Sequence, residues 1–250
     1  MKIRRATIGG LAVLMGALLM PGSAEAQDGY LFKQPRLSIA VLGGWQSASA
    51  GSDIFDFTSQ HLTVDRGDFS TGSVGVQIGI SVLPRFDLVF EAGHGEAIID
   101  SEFRDFVEET NNGDLPIRQV TRFSQTPISV SGRFYLTERG RAVGQYAFIP
   151  KRWAPYIGAG VGRMGYGFEQ EGDFVDVDTY DIFSGTLESK NSGLLTQAFA
   201  GADITLAPNF NVLIEGRYTS ASSEMRWDFV GFEDIDLSGF QVSFGLGVRF

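Results

Sequence analysis

The 250-residue sequence contains no cysteine and only two histidines. The lack of cysteine excludes disulfide bonds, thiolate metal ligands, thiol nucleophiles and a lipid-modified N-terminal cysteine. Cations are also scarce, because 20 Lys and Arg residues face 30 Asp and Glu residues and give a formal net charge of −10. Since a nucleic-acid-binding chain needs a basic face, this balance argues against a nucleic-acid partner. The sequence shows no phosphate-binding loop and no zinc motif, so we predict no cofactor.

A continuous apolar run of membrane-helix length is also missing after residue 26. The first 26 residues contain the segments of a secretory signal peptide in the usual order. Three cations precede an apolar run over 6–20, and the small residues Ala24 and Ala26 supply a cleavage pattern. This run is shorter than the ~20 residues that a spanning helix needs. We therefore predict a cleavable signal peptide over 1–26 and a single exported domain over 27–250.

What the sequence does have is glycine, at 32 residues, and segments in which every second residue is apolar. Successive side chains of a strand point to opposite faces, so each such segment would have one apolar face and one small or polar face. In a soluble sheet the apolar face would cover a core, whereas in an outer-membrane barrel it would meet lipid. The segments are 36–46, 72–82, 86–95, 126–136, 154–166, 194–206, 211–219 and 239–250.

The number and spacing of these segments favour the barrel. Eight is an even number, and each segment is close to the ~9–11 residues that cross a bilayer as a tilted strand. Barrels have short periplasmic turns and long external loops, and the connections follow that alternation with one exception. The exception is the basic connection 137–153, for which the sequence offers no explanation. The short connections are 83–85 and 207–210, and the long ones are 47–71, 100–121, 167–193 and 220–236.

Details of the pattern give further expectations. In the glycine-rich segment 154–166 we expect Ile157, Ala159 and Val161 to point outward. The stretch 82–91 matches 206–215, since each has a Pro turn, a following Phe and an inward Glu, which suggests two similar hairpins. Six aromatic residues near segment ends would form interfacial girdles, namely Trp45, Trp153, Tyr156, Tyr218, Phe86 and Phe210.

Six charged residues fall on the inward face of the predicted strands. They are Glu91, Arg133, Asp203, Glu215, Arg217 and Arg249. Unpaired charges in so narrow a lumen would be costly, so we expect a paired ionic network that plugs the barrel. The alternative is a charge-lined pore. Eight-stranded barrels are normally filled by side chains, which favours the paired network over the pore.

The sequence resembles the small outer-membrane β-barrels of the OmpA-like, porin-opacity type. The residues that carry the resemblance are the export signal, the stretches 155–162, 201–203 and 215–218, and the C-terminal Phe250. The resemblance implies an all-β fold, an eight-stranded antiparallel transmembrane β-barrel with long external loops, in the outer membrane of a Gram-negative-type cell. It also implies that the barrel-assembly machinery reads Phe244, Leu246, Val248 and Phe250. The peptidoglycan-binding domain that follows the barrel in some members is not expected here.

The long connections are acidic. Residues 168–189 contain seven acids and no cation, but their spacing departs from a calcium-binding loop, and we expect a solvated surface. Aromatic residues in the long connections could contact a partner. They include Phe106, Phe168, Phe174, Tyr180 and Phe183.

The two histidines give little support to an enzyme. We expect His94 to point outward near the upper membrane edge and His61 to lie in the first long connection, neither in a triad. The sequence thus predicts a structural or surface-interaction role through the acidic loops, with outer-membrane lipid and lipopolysaccharide as surroundings. The alternative is a narrow porin-like channel, and a lipid A-modifying enzyme is a distant third.

Overall fold

The computed structural model describes residues 31, 33–110, 113–144, 147–176, 179 and 181–250. The expected signal peptide therefore lies outside the described residues and stays a prediction. In chain order the strands are β1 (Leu37–Ala48), β2 (Thr71–Leu83), β3 (Phe86–Thr110), β4 (Gly113–Tyr135), β5 (Gly140–Val143), β6 (Ala147–Pro150), β7 (Trp153–Val175), β8 (Ile182–Ala207), β9 (Phe210–Ser223), β10 (Ile235–Asp236) and β11 (Gly239–Arg249).

Eight long strands close into an antiparallel ring. Each pairs with its two neighbours in the order β1-β2-β3-β4-β7-β8-β9-β11. The ring closes where β11 pairs with β1, from Ser38 opposite Arg249 to Ala48 opposite Gly239. Within the closed ring the sheet has no exposed edge, as a membrane-spanning sheet requires. The predicted eight-stranded barrel is confirmed.

The alternation of faces follows the sequence pattern. Ile157 and Val161 are exposed on the outer face, as predicted for the glycine-rich segment. Four of the expected girdle residues, Trp45, Trp153, Phe210 and Tyr218, are exposed as well. Phe86 is partly exposed. The prediction for Tyr156 was wrong, because its ring lies inside the barrel and is 1% exposed.

The boundaries of the external connections need correction. The connections 100–121 and 167–193 are largely strand, because β3 and β4 continue to Thr110 and Gly113, and β7 and β8 to Val175 and Ile182. Outside the membrane a strand needs no apolar outer face, so the apolar alternation ends while the hydrogen-bonded ladder continues. Charged pairs occupy the outer face there, such as Arg118 with Glu102 at 3.2 Å.

The first external connection folds into the barrel mouth. Helix α1 (Asp53–His61) carries Asp53 and Asp56 in its first turn, where carboxylates favour the positive end of the helix dipole. Its buried face contributes Ile54, Phe55 and Thr58. A 3-10 helix over Arg66–Phe69 follows and buries Phe69. Among the described residues, no helix is both long and apolar enough to cross a membrane.

The basic connection 137–153 is a small hairpin at the opposite end of the barrel. Strands β5 and β6 pair from Gly140 opposite Pro150 to Val143 opposite Ala147. Leu31 bridges to Phe148 on the other edge of β6 through two backbone hydrogen bonds of 2.8 and 2.7 Å. The tight turns β2–β3 and β8–β9 lie at this same end, which is therefore the periplasmic end.

Candidate functional site

The periplasmic half of the barrel interior, which we call the lower half, contains an ionic network centred on Arg217. This guanidinium donates hydrogen bonds to both carboxylate oxygens of Glu91, with Nη2 2.6 Å from Oε2. It also donates from Nη2 to Oε1 of Glu215 at 2.5 Å. The amide oxygen of Gln197 accepts a further hydrogen bond at 3.2 Å. Arg217 thus holds two carboxylates that would otherwise repel one another.

Arg133 lies on the other side of Glu215. Its Nη2 is 3.5 Å from Oε2 of Glu215 and donates to Oε1 of Gln77 at 2.6 Å. The guanidinium also packs over the ring of Tyr156, with 4.3 Å from Cζ to the ring centroid. The Tyr156 hydroxyl donates to Oε2 of Glu215 at 3.0 Å. Glu215 is therefore fully buried between two arginines and a tyrosine, which offsets the cost of removing its charge from water.

Asp203 and Arg249 form a second group nearer the periplasmic end. Nη2 of Arg249 is 4.0 Å from Oδ2 of Asp203, so this pair is looser than the Arg217 pairs. Asp203 also accepts hydrogen bonds from the Tyr135 hydroxyl at 2.8 Å and from Nδ2 of Asn211 at 3.2 Å. Arg249 donates to Oγ1 of Thr205 at 3.2 Å. The structure thus places all six sequence-predicted charges inside the barrel, in two groups.

Sequence analysis missed a further buried pair, Asp87 with Arg139. Arg139 reaches into the barrel from the connection 137–153 and donates from Nη1 to both carboxylate oxygens of Asp87 at 2.9 Å. Its guanidinium lies 4.8 Å from the centroid of the Tyr135 ring. The inward parity of Asp87 was an available signal, but Arg139 lies outside every alternating segment. With this pair, four interior acids are matched by four arginines.

The upper half of the interior is filled by apolar side chains. Phe55 of α1 is completely buried, and its ring centroid lies 4.7 Å from that of Phe69, 5.5 Å from Phe123 and 6.2 Å from Phe168. We call this the aromatic plug, defined by these four residues. The prediction that Phe168 contacts a partner was wrong, because its inward parity places it in the plug. The remaining buried members of this core include Ile54, Leu62, Val64, Met164, Leu195, Met225, Phe229, Ile235 and Leu237.

A polar pair separates the aromatic plug from the network. The side chains of Gln46 and Gln125 are hydrogen bonded to each other and buried. Gln125 also donates from Nε2 to the Leu237 carbonyl at 3.1 Å, which ties the fourth external connection into the interior. Below the network, a cavity of about 40 Å³ opens near Arg36, Gln77 and Asn211. Pockets for small organic ligands have volumes of ~300–1,000 Å³, so this cavity is too small for one.

The described residues beyond the apolar band form an acidic surface, which we call the external extension and define as residues 47–71, 96–110, 113–125, 164–176, 179, 181–194 and 220–238. Most of the acidic residues lie here. Glu169 and Glu171 pair with Arg122 of the neighbouring strand at 3.8 and 3.9 Å. Its six cations are Arg66, Arg104, Arg118, Arg122, Lys190 and Arg226.

Tyr166 links two walls of the external extension. Burial raises the pKa of its hydroxyl, which stays protonated and donates to the Glu224 carbonyl at 2.9 Å. Ser189 lies 2.8 Å from the same oxygen. Within the described ranges, the structure shows no group of three or more His, Asp or Glu side chains placed to hold a metal ion.

The other sequence-predicted residues lie on the surface. Phe244, Leu246 and Phe250 are exposed on the outer face of the closing strand, and Val248 on the same face is partly buried. His94 is exposed, with Nδ1 3.0 Å from Oγ1 of Thr126.

The described residues among the other expected surface positions differ in exposure. Nδ1 of His61 lies 2.9 Å from the Phe57 carbonyl within α1. Phe174 is buried and stacks on exposed Phe183 at 5.7 Å. Tyr180 lies outside the described residues.

Comparison with known proteins agrees with this geometry. No curated protein matches the sequence. The crystal structure of Neisserial surface protein A shares the fold with a TM-score of 0.50 at 12% identity, covering 89% of this chain and 97% of that one. The outer membrane protein OprG of Pseudomonas aeruginosa has a TM-score of 0.46 at 14% identity, with 88% and 99% covered. Ail, the attachment invasion locus protein of Yersinia pestis, has a TM-score of 0.45 at 11% identity, with 87% and 100% covered.

The match to a family model covers nearly the whole chain. The model is described as the outer membrane protein beta-barrel domain, and it matches residues 15–250. The chain therefore belongs to the outer membrane protein beta-barrel domain family.

Proposed function

We propose that this outer-membrane barrel is closed to solutes and acts through contacts that its external extension makes with a partner. The observation that carries the proposal is the position of Phe55, completely buried inside the barrel mouth. The helix that carries Phe55 is fixed to the barrel wall, because Arg104 of β3 donates a hydrogen bond to the Leu62 carbonyl just beyond α1 at 2.7 Å. A barrel filled in this way leaves the external surface as the place for function.

A narrow channel is the less favourable proposal, because two successive layers would have to open. The aromatic plug would have to leave the mouth, which would expose several large apolar side chains to water. The network beneath it would then have to separate charges that are paired and buried, such as Glu215 with Arg217. We also propose a non-enzymatic role, since neither His94 nor His61 contacts a nucleophile–acid pair in the described part of the chain.

The external extension favours a partner that is both cationic and apolar. Phe57, Trp227 and Val230 are exposed on its surface. Trp227 also adopts a φ of +56°, a conformation that costs ~1–3 kcal/mol in residues other than glycine and is concentrated at functional sites. Acidic residues are close to these apolar residues in the sequence, since Asp56 precedes Phe57, Asp228 follows Trp227, and Glu233 and Asp234 follow Val230. Opposite charge steers association, while exposed aromatic residues contribute most of the binding energy in protein interfaces.

Planar-bilayer recording tests the closed lumen. The refolded protein should give no reproducible conductance steps, while an open porin recorded under the same conditions should give them. Reproducible single-channel steps from the protein would overturn the proposal.

Peptide titration tests the surface contact. An amphipathic Lys–Leu peptide should bind the protein in nanodiscs of zwitterionic lipid, and the double variant W227S/V230S should bind it about tenfold more weakly. The matched control V143S/I149S removes two exposed apolar residues from the periplasmic hairpin and should leave binding unchanged. Equal binding by both variants, or no binding by the parent protein, would contradict the proposal.

A further inference from the structure

The charges of this acidic protein are distributed unevenly between its two ends. At the periplasmic end, the exposed cations are Lys33, Arg36, Arg85, Arg141, Lys151 and Arg152. Among the described residues of that end, the acids Asp87 and Asp203 are buried inside the barrel, and Glu138 is the exposed one. The chain therefore has a basic periplasmic end beneath a strongly acidic external extension.

Backbone hydrogen bonds hold several of these cations at fixed positions on the barrel rim. The carbonyl of Arg36 accepts a hydrogen bond from Ser81, and its amide donates to Phe250, both at 2.8 Å. The carbonyls of Lys151 and Arg152 accept hydrogen bonds from the side chain and the amide of Thr205 at 2.8 and 2.9 Å. These cations therefore stand at a defined height rather than on free loops.

The side chains of these cations are available to a ligand. Arg85 is 3.6 Å from Glu138, a distance typical of a weak exposed ion pair. Within the described part of the chain, Arg36, Lys151 and Arg152 form no ion pair, and all three are exposed. An exposed unpaired guanidinium or ammonium group is free to bind a phosphate oxygen.

The height of these cations coincides with the lower edge of the apolar band. Trp153 follows Arg152 directly and is 54% exposed on the outer face, where interfacial tryptophan is expected. Leu83 precedes the turn that contains Arg85 and is also exposed. Apolar side chains at this level contact acyl chains, so the adjacent cations lie at the level of the lipid headgroups.

We propose that Lys151 and Arg152, which lie together on the rim of the barrel, bind the headgroups of anionic phospholipids in the periplasmic leaflet. The charges are complementary, the cations lie at headgroup depth, and Trp153 supplies the adjacent apolar contact. An anionic cell-wall polymer is less suitable because it lies below the membrane, whereas these cations border the lipid-facing band. The inference depends on the barrel and not on the function of the external extension.

Quenching of tryptophan fluorescence tests the proposal. The chain has three tryptophans, so the background W45F/W227F leaves Trp153 as the reporter. The protein is refolded into vesicles of phosphatidylcholine that contain equal mole fractions of brominated phosphatidylglycerol or brominated phosphatidylcholine. The brominated anionic lipid should quench Trp153 more strongly than brominated phosphatidylcholine. The association constant for the anionic lipid should exceed that for phosphatidylcholine by about fivefold for each cation that binds its headgroup. Raising the salt concentration to ~0.5 M should reduce this preference.

Two charge-matched double variants locate the effect. K151Q/R152Q should reduce the preference close to one. R163Q/K190Q removes two exposed cations near the opposite edge of the barrel and should retain the preference. Equal quenching by the two lipids in the parent, or an equal loss in both variants, would overturn the proposal. Co-sedimentation with purified peptidoglycan that needs Lys151 and Arg152, without any lipid preference, would also overturn it in favour of the cell wall.

Discussion

Arg217 and Glu91 lie 126 residues apart in the sequence and form a doubly hydrogen-bonded ion pair inside the barrel. They stand on β9 and β3, which are diametrically opposite in the eight-stranded ring. The pair therefore spans the lumen and links two opposite walls of the barrel. Glu215 occupies the position in the second of the two similar hairpins that Glu91 occupies in the first. It binds the same guanidinium. Both hairpins also have a register shift at the turn, after Ser81 and after Thr205.

Replacing Arg217 with methionine should strongly destabilise the barrel. The substitution keeps an unbranched side chain but leaves Glu91 and Glu215 buried without their main partner. Removing one member of a buried ion pair costs ~3–5 kcal/mol. Urea-induced unfolding in detergent micelles, followed by tryptophan fluorescence, measures the loss. The triple variant R217M/E91Q/E215Q should recover much of it, and a single variant as stable as the parent would contradict the network.

Replacing Phe55 with alanine should loosen the aromatic plug without opening the lumen. Truncating a buried phenylalanine costs ~3–5 kcal/mol, and Phe55 contacts three other rings. Bilayer conductance should remain absent because the ionic network below is intact. Phe57→Ala on the exposed face of the same helix is the control and should change stability little. Conducting channels in the Phe55 variant would show that the plug alone closes the barrel.

A charge at Val76 should impair insertion into lipid. Val76 lies on the outer face between Val41 and Ala92 of the neighbouring strands. Arginine on the lipid face near the bilayer midplane costs ~2–4 kcal/mol. The folded fraction in vesicles, read from the mobility difference between boiled and unboiled samples, should fall for Val76→Arg and stay unchanged for Val76→Leu. Equal folded fractions would place Val76 away from lipid.

Loss of the C-terminal aromatic residue should impair assembly in cells. Phe250 is 64% exposed on the same face as Phe244 and Leu246, where the assembly machinery could read it. We expect deletion of Phe250 to lower the yield of heat-modifiable barrel in outer-membrane fractions, and Phe250→Tyr to retain it. A normal yield after deletion would remove Phe250 from the assembly signal.

The alternating segments were sufficient to predict the eight barrel strands and their outer face, because a lipid-facing strand must be apolar at every second position. Tyr156 shows where that reasoning failed. Its position at a segment end suggested a girdle, but its parity places it inside, where its hydroxyl binds Glu215. Parity was the better guide, because the pleat fixes side-chain direction at segment ends as well.

Contacts made from outside the barrel strands were beyond the reach of the pattern. Arg139 belongs to no alternating segment, and only the fold brings it to Asp87. Phe55 lies on a nine-residue helix in a connection that the sequence marked only as long. Both depend on the path of a connection back into the lumen, which neither periodicity nor composition determines.

The filled lumen can be tested most directly by chemical labelling, because the chain contains no cysteine of its own. Ser131 is 3% exposed and lies beside the network, where its hydroxyl accepts a hydrogen bond from Gln197 at 2.8 Å. Val230 is 76% exposed on the external extension. The folded Ser131→Cys variant should resist a bulky hydrophilic maleimide from both sides of the membrane and react only after unfolding, while Val230→Cys should react at once. Comparable labelling rates for the two folded variants would contradict a closed barrel.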